Sequence, residues 1–192
     1  MTVLDFNAAT GWYTEILARV VGPNGRVIAH NHPGARTTLA AEGFEARYGG
    51  NRLPNVEQVF VRHNDLRLPP DSVDVVLMSM VYHDTYWQRD GVDWGPIDRQ
   101  ALLVSLREAL KPGGIVGVVD HYAEAGRDPF ESVMAVHRID PAVVRGDFAA
   151  AGFVLDGASD VLRTTTDDHS LSVFDAAVVG RTDRFVLRFR NP

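Results

Sequence analysis

The chain has 192 residues, 45% of them hydrophobic and 23% charged, with a net charge of −6 and no cysteine. The negative charge argues against a nucleic acid as the main partner, since binding a phosphate backbone calls for a basic surface. The absence of cysteine excludes disulfides, thiolate catalysis and metal sites built on cysteine.

Length and composition predict a single globular domain over residues 1–192. No apolar run approaches the roughly 20 residues that a helix needs to cross a bilayer, so no membrane partner is expected. The start does not have the pattern of a signal peptide, because Asp5 interrupts it and no basic region precedes an apolar core. We therefore expect a cytoplasmic protein.

Apolar periodicity predicts strands that alternate with helices along most of the chain. In chain order these are a strand at Val3–Phe6, a helix from Gly11 to Val21, a strand at Arg26–Ala29, a helix from Pro33 to Tyr48, a strand at Val56–Val61, a long apolar run at Asp71–Val81, a helix at Ile97–Leu110, a strand at Ile115–Val119, a helix from Pro141 to Ala151, and late strands at Gly152–Leu162 and Arg184–Phe189. This alternation favours an α/β fold, with a mostly parallel sheet and helices on both faces.

Several stretches resemble motifs of class I S-adenosylmethionine-dependent methyltransferases. Val3-Leu4-Asp5 and the turn that ends at Gly11 resemble the family's first motif, and Leu106–Gly114 resembles the helix and turn before its fifth strand. Trp12–Ala18 and His137–Pro141 resemble a bacterial subgroup of predicted methyltransferases. The resemblance implies a Rossmann-like, seven-stranded, mostly parallel sheet with an antiparallel last strand, S-adenosylmethionine as the cofactor, and a small-molecule acceptor.

The chain departs from the family pattern in three places. Asn7 and Ala9 stand where the family has its first two glycines, and Asn31 stands where it has an acidic residue for the ribose. The family's N-terminal helices have no counterpart before the first strand, which makes a homodimer attractive. The resemblance implies cofactor contacts from residues at the strand ends, namely Asp5, Asn7, Ala9, Gly11, Tyr13, Asn31, Asn64, Asp65 and Ser79.

Histidines and aspartates also follow the fourth and fifth strands, where the family has its substrate-facing residues. The candidate catalytic residues are His83, Asp84, His121 and His137. One histidine could be a general base for a nitrogen or oxygen acceptor. The three histidines with a carboxylate could instead bind a divalent metal, although no histidine pair has the spacing of a helical metal site. They could also be structural.

Two further features allow more than one interpretation. The aromatic residues Tyr82, Tyr86, Trp87 and Trp94, with Asp84, Arg89 and Asp90 between them, could form a pocket wall or could cover the end of the sheet. Arg36 and Arg138 could attract an anionic group or could be surface charges. Beside methyl transfer, two alternatives remain open: a methyltransferase-like binding or assembly module without cofactor, and a His/Asp metal-dependent or acid–base enzyme.

Overall fold

The computed structural model describes residues 1–39, 41–88 and 93–192. Its strands are β1 (Thr2–Asp5), β2 (Arg26–Asn31), β3 (Val56–Phe60), β4 (Val73–Ser79), β5 (Leu110–His121), β6 (Val154–Ser159) and β7 (Arg184–Arg190). Its α-helices are α1 (Trp12–Val21), α2 (Ala35–Thr38), α3 (Ala41–Tyr48), α4 (Arg99–Ala109), α5 (Pro129–Val136) and α6 (Pro141–Ala150). Short 3-10 turns follow β3 at His63–Asp65 and β4 at His83–Thr85.

The strands form one seven-stranded sheet in the order β3-β2-β1-β4-β5-β7-β6. Neighbouring strands from β3 through β5 pair in parallel, and β7 is antiparallel to both β5 and β6. The predicted mostly parallel sheet with an antiparallel last strand is therefore confirmed.

Helices cover the sheet from two sides. The unit β1-α1-β2 moves toward one edge of the sheet, whereas β4-α4-β5 moves toward the other. Because such crossovers are right-handed, α1 and α4 lie on opposite faces. The central strands are buried and rich in aliphatic residues such as Leu4, Val76, Val116 and Val118, as expected for a parallel sheet covered on both faces.

Four elements differ from the sequence expectation. Strand β5 begins at Leu110, five residues before the predicted start, and ends at His121, two residues after the predicted end. The helix predicted from Pro33 to Tyr48 is two helices, α2 and α3, because Leu39 is extended with a ψ of 150°; Ala40 lies outside the described residues. Strand β2 continues to Asn31, two residues beyond the predicted end. Helix α5 was not predicted, although Asp128 caps it and Pro129 occupies its first turn, both standard start signals.

No helix in the described ranges is both long enough and apolar enough to cross a membrane.

Candidate functional site

The ends of β1 and β4 lie side by side where the chain reverses its direction across the sheet. Ligands of open α/β sheets bind beyond the carboxyl ends of the strands at such a point. The segments that follow β1, β2, β3, β4 and β5 all meet at this edge, which is the candidate site.

The turn after β1 is left-handed at each of the three positions that correspond to glycine in the family motif. The φ angle is 53° at Asn7, 49° at Ala9 and 83° at Gly11. A left-handed conformation costs a non-glycine residue about 1–2 kcal/mol, and Asn31 offsets part of that cost at Ala9. Its Oδ1 accepts from the Ala9 N–H at 2.9 Å and its Nδ2 donates to the Ala9 carbonyl at 3.0 Å. Both ends of the Asn31 amide are therefore engaged by the turn.

Asp5 lies at the end of β1, beneath this turn. Its Oδ2 accepts a hydrogen bond from the Thr14 hydroxyl at 2.6 Å. Burial, opposed by that bond, raises the pKa of Asp5 to about 6. Helix α3 covers the same turn, since a Cβ built on Gly11 would lie 1.9 Å from the Tyr48 hydroxyl oxygen. The backbone of Gly11 is thus in direct contact with the Tyr48 side chain.

Three other predicted cofactor residues lie farther along the edge. Asn64 Oδ1 accepts from the Asp98 N–H at 2.9 Å and its Nδ2 donates to the Asp98 carbonyl at 2.8 Å, so the amide joins the turn after β3 to the start of α4. Asp65 is exposed and lines a cavity beside β2 and β3. Tyr13 is half-buried in the first turn of α1 and packs edge-on against Trp12.

Five rings meet at the ends of β1, β2 and β3. This histidine–tryptophan cluster consists of Phe6, His30, His32, His63 and Trp94. His63 lies at its centre, with its ring centroid 5.6 Å from that of His30, 5.7 Å from that of His32 and 4.8 Å from that of Trp94. The cluster was not predicted. Its only sequence signal is the pair of histidines that flank Asn31, because His63 and Trp94 come from later segments.

The three histidines of this cluster are neutral at neutral pH. Burial lowers the pKa of His30 to about 4, lowers that of His63 to about 3, and also lowers that of His32. Hydrogen bonds fix two tautomers. His30 Nε2 lies 3.0 Å from the Val61 carbonyl and must donate to it, so His30 Nδ1 is an acceptor. His32 Nδ1 accepts from the Gly34 N–H at 3.1 Å, so His32 Nε2 carries the proton.

Within the residues that the structure describes, several polar atoms of this region are buried without a hydrogen-bond partner. They include Asn7 Nδ2, His30 Nδ1, His32 Nε2, Tyr48 Oη and Ser79 Oγ. The other end of the Asn7 amide, Oδ1, accepts from His63 Nε2 at 3.1 Å. Since buried polar groups are nearly always paired, a concentration of unpaired ones at the carboxyl edge of the sheet indicates a place for a polar ligand.

The ends of β4 and β5 carry a second group, the Asp–His cluster, made of His83, Asp84, Asp120, His121 and His137. Asp120 Oδ1 lies 2.7 Å from His83 Nδ1, and Asp120 Oδ2 accepts from the His83 N–H at 2.9 Å. Asp84 Oδ1 lies 3.3 Å from His83 Nε2. The ring centroids of His121 and His137 are each 5.8 Å from that of His83. The other three predicted catalytic residues, together with Asp120, therefore surround the buried imidazole of His83.

The two carboxylates make His83 a cation. Burial alone would lower its pKa, but Asp120 and Asp84 raise the pKa of His83 to about 9. Burial would raise the pKa of Asp120, yet the charge and hydrogen bond of His83 hold it below its usual value. At neutral pH, His83 is therefore an imidazolium that faces the Asp120 carboxylate at Nδ1 and the Asp84 side chain, whose pKa burial raises, at Nε2, so His83 cannot accept a proton.

The other two histidines of the cluster are neutral. Burial lowers the pKa of His121 to about 4, and burial together with the charge of His83 lowers the pKa of His137. His121 Nδ1 is bonded to the Thr182 hydroxyl at 2.7 Å. No hydrogen bond joins the ring of His137 to another residue in 1–39, 41–88 or 93–192; it packs edge-on against Phe174, with ring centroids 4.9 Å apart.

No group of three or more His, Asp or Glu side chains in the described part of the chain is arranged to hold a metal ion. The two ring nitrogens of His83 face Asp84 and Asp120 instead, at 3.3 and 2.7 Å. The structure thus gives no support to the interpretation of His83, His121 and His137 as metal ligands.

The aromatic residues after β4 divide into two pairs. Tyr82 and Tyr86 are buried, and their hydroxyls both donate to Asp147 Oδ2, at 2.7 and 2.6 Å. This pair covers the core. Trp94 belongs to the histidine–tryptophan cluster, and Trp87 joins that cluster to the Asp–His cluster, with its ring centroid 6.1 Å from that of Trp94 and 6.4 Å from that of His137. Arg89 and Asp90 lie outside the described residues.

The expectation that Arg138 is a surface charge or an anion-attracting residue is wrong. Arg138 is fully buried, and its guanidinium donates to both oxygens of Asp167, at 2.9 and 3.0 Å. It also donates to the carbonyls of Leu171 and Tyr122, at 2.9 and 3.2 Å. This ion pair fastens the segment between β6 and β7 to the end of β5. Arg36, by contrast, is an exposed surface charge, and its guanidinium packs on the ring of Phe60, 4.1 Å from the centroid.

No protein-family model and no curated protein matches this sequence. Solved structures do match it. The chain is similar to an S-adenosylmethionine-dependent methyltransferase from Aquifex aeolicus, at 18% identity and a TM-score of 0.68 over 100% of this chain and 82% of that one. It is also similar to one from Mesorhizobium loti, at 16% identity and a TM-score of 0.62 over 98% and 90%. The chain has the class I methyltransferase fold.

A methyltransferase fold does not by itself decide the reaction. The chain is likewise similar to the cyclase SpnF, at 18% identity and a TM-score of 0.65 over 100% of this chain and 74% of that one. Function on a shared fold depends on the residues of the site. In this methyltransferase fold those residues form two groups, the histidine–tryptophan cluster beyond β2 and β3 and the Asp–His cluster beyond β4 and β5.

The pKa of His83 predicts how stability depends on pH. A histidine with a pKa of about 9 in the folded chain and 6.5 in the unfolded chain stabilises the fold fully below pH 6.5, and this contribution is lost as the pH rises through about 9. The buried neutral His30 and His63 act in the opposite direction, so stability is also lost as the pH falls from 6.5 toward 4. Urea unfolding across this range should therefore show both an acid and an alkaline decline.

The matched variant is His83→Gln, which removes the charge next to Asp84, Asp120, His121 and His137. It should lower stability near neutral pH and remove the alkaline decline, while the acid decline remains. An alkaline decline that persists unchanged in His83→Gln would contradict the assignment of His83 as the buried cation.

Proposed function

We propose that this chain is an S-adenosylmethionine-dependent methyltransferase that acts on a nitrogen or oxygen atom of a small-molecule acceptor. The observation that carries the proposal is the left-handed turn at Asn7, Ala9 and Gly11 beside unpaired buried polar atoms, at the ligand-binding edge of a methyltransferase fold. The solved structures of similar fold share only 12–18% of their residues with this chain, so the proposed reaction needs a direct test.

The residues at the ends of β1, β2 and β4 fit the cofactor. The turn has kept the backbone conformation of a glycine motif even though two of its three glycines are replaced. Asn7, His30, His32 and Ser79 offer unpaired donors and acceptors for a ligand with both kinds of group. When bound, S-adenosylmethionine supplies a methyl group that is already activated for transfer.

The Asp–His cluster supports a division of roles among the predicted catalytic residues. We assign the base to His137, because its ring is neutral and has its nitrogens available within the described chain, whereas those of His83 face carboxylates. Burial and the charge of His83, whose ring centroid is 5.8 Å away, lower the pKa of His137 and keep it unprotonated. His137 would accept the proton of the acceptor N–H or O–H, and Trp87 and Phe174 would orient the acceptor beside it.

The remaining expectations belong to the same proposal: one domain over residues 1–192, a cytoplasmic location and a homodimer. Helix α1 supports the homodimer, because Trp12, Ile16 and Val20 lie four residues apart and are 58%, 42% and 74% exposed. An exposed apolar stripe of this kind is a frequent feature of subunit contacts.

A specific observation favours a second candidate, a methyltransferase fold that serves as a binding or assembly module without cofactor. Tyr48 packs against Gly11, and Trp94 packs against His32 and His63, so side chains of this chain lie along the edge where a ligand would bind. In that case the two clusters would be structural.

Titration calorimetry with S-adenosylmethionine and its demethylated product, S-adenosylhomocysteine, separates the two candidates. Methyl transfer predicts binding at about micromolar affinity, with the product at least as tight as the cofactor. A sample shown to be folded that binds neither compound would favour the second candidate.

Replacement of His137 by Asn should lower kcat by about 10²- to 10⁴-fold, the usual contribution of a general base. Asn tolerates the left-handed conformation of His137, which has a φ of 54°, so stability and S-adenosylhomocysteine affinity should hardly change. The control is His121→Asn, which removes an imidazole already bonded to Thr182 and should affect stability more than kcat. Equal losses of kcat in both variants would contradict the assignment of His137.

A further inference from the structure

Arg184 lies at the start of β7, on the ligand-binding edge of the sheet. Because β7 runs antiparallel to β5, this first residue of β7 pairs with His121, the last residue of β5. The guanidinium extends across the end of β5, since its Nη1 lies 4.0 Å from Sδ of Met80, which directly follows β4 on the other side of β5. Arg184 is therefore a neighbour of the Asp–His cluster.

The charge of Arg184 has no counter-ion in residues 1–39, 41–88 and 93–192. Two carboxylates lie near it in the chain and in the sheet, but other groups bind both of them. Asp183 accepts from Arg163 Nε at 2.9 Å and lies 2.9 Å from His169 Nε2. Asp120 is bonded to the imidazolium of the Asp–His cluster. Arg184 is thus left as an unbalanced positive charge at the edge of the sheet.

The donors of Arg184 are also poorly satisfied. Its Nε is buried without a hydrogen-bond partner in the described part of the chain. The partner of Nη1 is the thioether of Met80, which is only a weak acceptor. Met80 itself has a φ of 56°, a left-handed conformation that is uncommon for residues other than glycine and that concentrates at functional sites. The planar fork of the guanidinium is therefore available to a better acceptor.

The surroundings favour an anion at this position. Burial lowers the pKa of His121 to about 4, and the charge of Arg184 contributes to the same shift. The Arg184 side chain is partly buried, so an anion would form charge-assisted hydrogen bonds with a group that is already partly removed from water. The anion would also balance a charge that has no partner among the described side chains.

We propose that Arg184 binds a carboxylate of the methyl acceptor, which makes the acceptor a small hydroxy- or amino-carboxylic acid. The proposal rests on the proposed function, since it names the substrate class of the same reaction. One arginine without a counter-ion matches one carboxylate in charge, and its fork of N–H groups matches the two carboxylate oxygens. A phosphate ester carries up to two charges and would leave one of them unbalanced.

The carboxylate and the reacting atom would lie at two places in the Asp–His cluster. Arg184 holds the carboxylate beside His121, and the hydroxyl or amino group reaches the proposed base, His137. The rings of both histidines lie 5.8 Å from that of His83, centroid to centroid. A small molecule can therefore contact Arg184 and His137 at the same time.

The first experiment follows the Nε–H group of Arg184 by proton–nitrogen NMR during titration of the wild-type protein with benzoate and with benzamide. These probes have the same shape and differ in charge, and their ring suits the aromatic side chains beside His137. Benzoate should shift the Nε–H signal and bind about 10- to 100-fold more tightly than benzamide, the usual effect of hydrogen bonds between charged groups. Equal affinities, or an Nε–H signal that does not move, would overturn the proposal.

The second experiment repeats the titrations with variants. Arg184→Met identifies the Nε–H signal by its absence and should lose the preference for benzoate; it should fold, because the side chain contacts only a sulfur in the described residues. Arg184→Lys keeps the charge without the planar fork, so its affinity for benzoate should be intermediate. Arg188→Met is the matched control on the same strand, since Arg188 already pairs with Asp156 at 2.9 Å, and it should bind benzoate as the wild type does.

Two outcomes of these titrations would contradict the assignment. A preference for benzoate that survives in Arg184→Met would mean that the anion binds elsewhere. Phenyl phosphate that binds more tightly than benzoate would overturn the choice of a carboxylate.

These measurements separate the carboxylate subsite from the proposed methyl transfer. If benzoate binds at Arg184 and the protein binds neither S-adenosylmethionine nor S-adenosylhomocysteine, the subsite stands and the methyltransferase proposal fails. If S-adenosylhomocysteine binds and benzoate shows no preference over benzamide, the methyltransferase proposal stands and the subsite fails.

Discussion

Replacement of Arg138 by Met is expected to lower the free energy of unfolding by about 3–5 kcal/mol, the usual result of leaving one member of a buried ion pair without its partner. Among the described residues, the N–H groups of Asp183 and His169, at 2.7 and 3.1 Å, would then be left to stabilise the charge of the buried Asp167. The carbonyls of Leu171 and Tyr122 would lose their donor as well. Urea unfolding followed by circular dichroism measures the loss.

Two further variants make this prediction specific. Arg188→Met removes an arginine that pairs with Asp156 but has a side chain that is 54% exposed, so it should cost no more than about 1 kcal/mol. The double variant Arg138→Met, Asp167→Leu should recover much of the loss, because an apolar pair leaves no buried charge. A loss below about 1 kcal/mol in Arg138→Met alone would contradict the buried pair.

Replacement of Gly11 by Val is expected to weaken S-adenosylhomocysteine binding by about 100-fold or more, which corresponds to about 2.7 kcal/mol. Valine is strained at a φ of 83°, and its Cβ would lie 1.9 Å from the Tyr48 oxygen. The backbone at residue 11 would have to shift, and the turn that also contains Asn7 and Ala9 would move with it. Titration calorimetry on the purified variant measures the change in affinity.

Gly22 provides the matched control at the opposite end of α1. Its φ is 71°, and a Cβ built on it meets nothing within 4 Å. Gly22→Val should therefore lose stability through the same backbone strain and keep its affinity for S-adenosylhomocysteine. An unchanged affinity in Gly11→Val would mean that the ligand does not bind at the turn after β1.

The sequence predicts the fold well where the signal is local. Apolar runs locate all seven strands, and the resemblance supplies the reversed direction of β7. Helix α5 was missed because it has only eight residues, too few for periodicity to stand out, although Asp128-Pro129 marks its start. The break between α2 and α3 was missed for a related reason, since the adjacent Thr37 and Thr38 disfavour a helix only weakly.

The site is less predictable because its properties depend on partners that are distant in sequence. Asp120 follows β5, and it turns His83, a good candidate base by its ordinary pKa, into a buried cation. In the sequence, Arg138 is indistinguishable from a surface arginine, because its ion-pair partner Asp167 lies 29 residues farther along the chain. Likewise, nothing in the segment around His63 indicates that its ring lies between those of His30 and His32.

The two hydrogen bonds between Asn31 and Ala9 have a consequence for how such sequences diverge. An aspartate at position 31 could still accept from the Ala9 N–H, but it would place a carboxylate oxygen against the Ala9 carbonyl. A glycine at position 9 would adopt the left-handed conformation without support. The two positions should therefore covary, with Asn accompanying Ala and an acidic residue accompanying Gly. Asn at position 31 should also lower the cost of a later exchange of Gly for Ala at position 9, because its two hydrogen bonds already support the left-handed conformation.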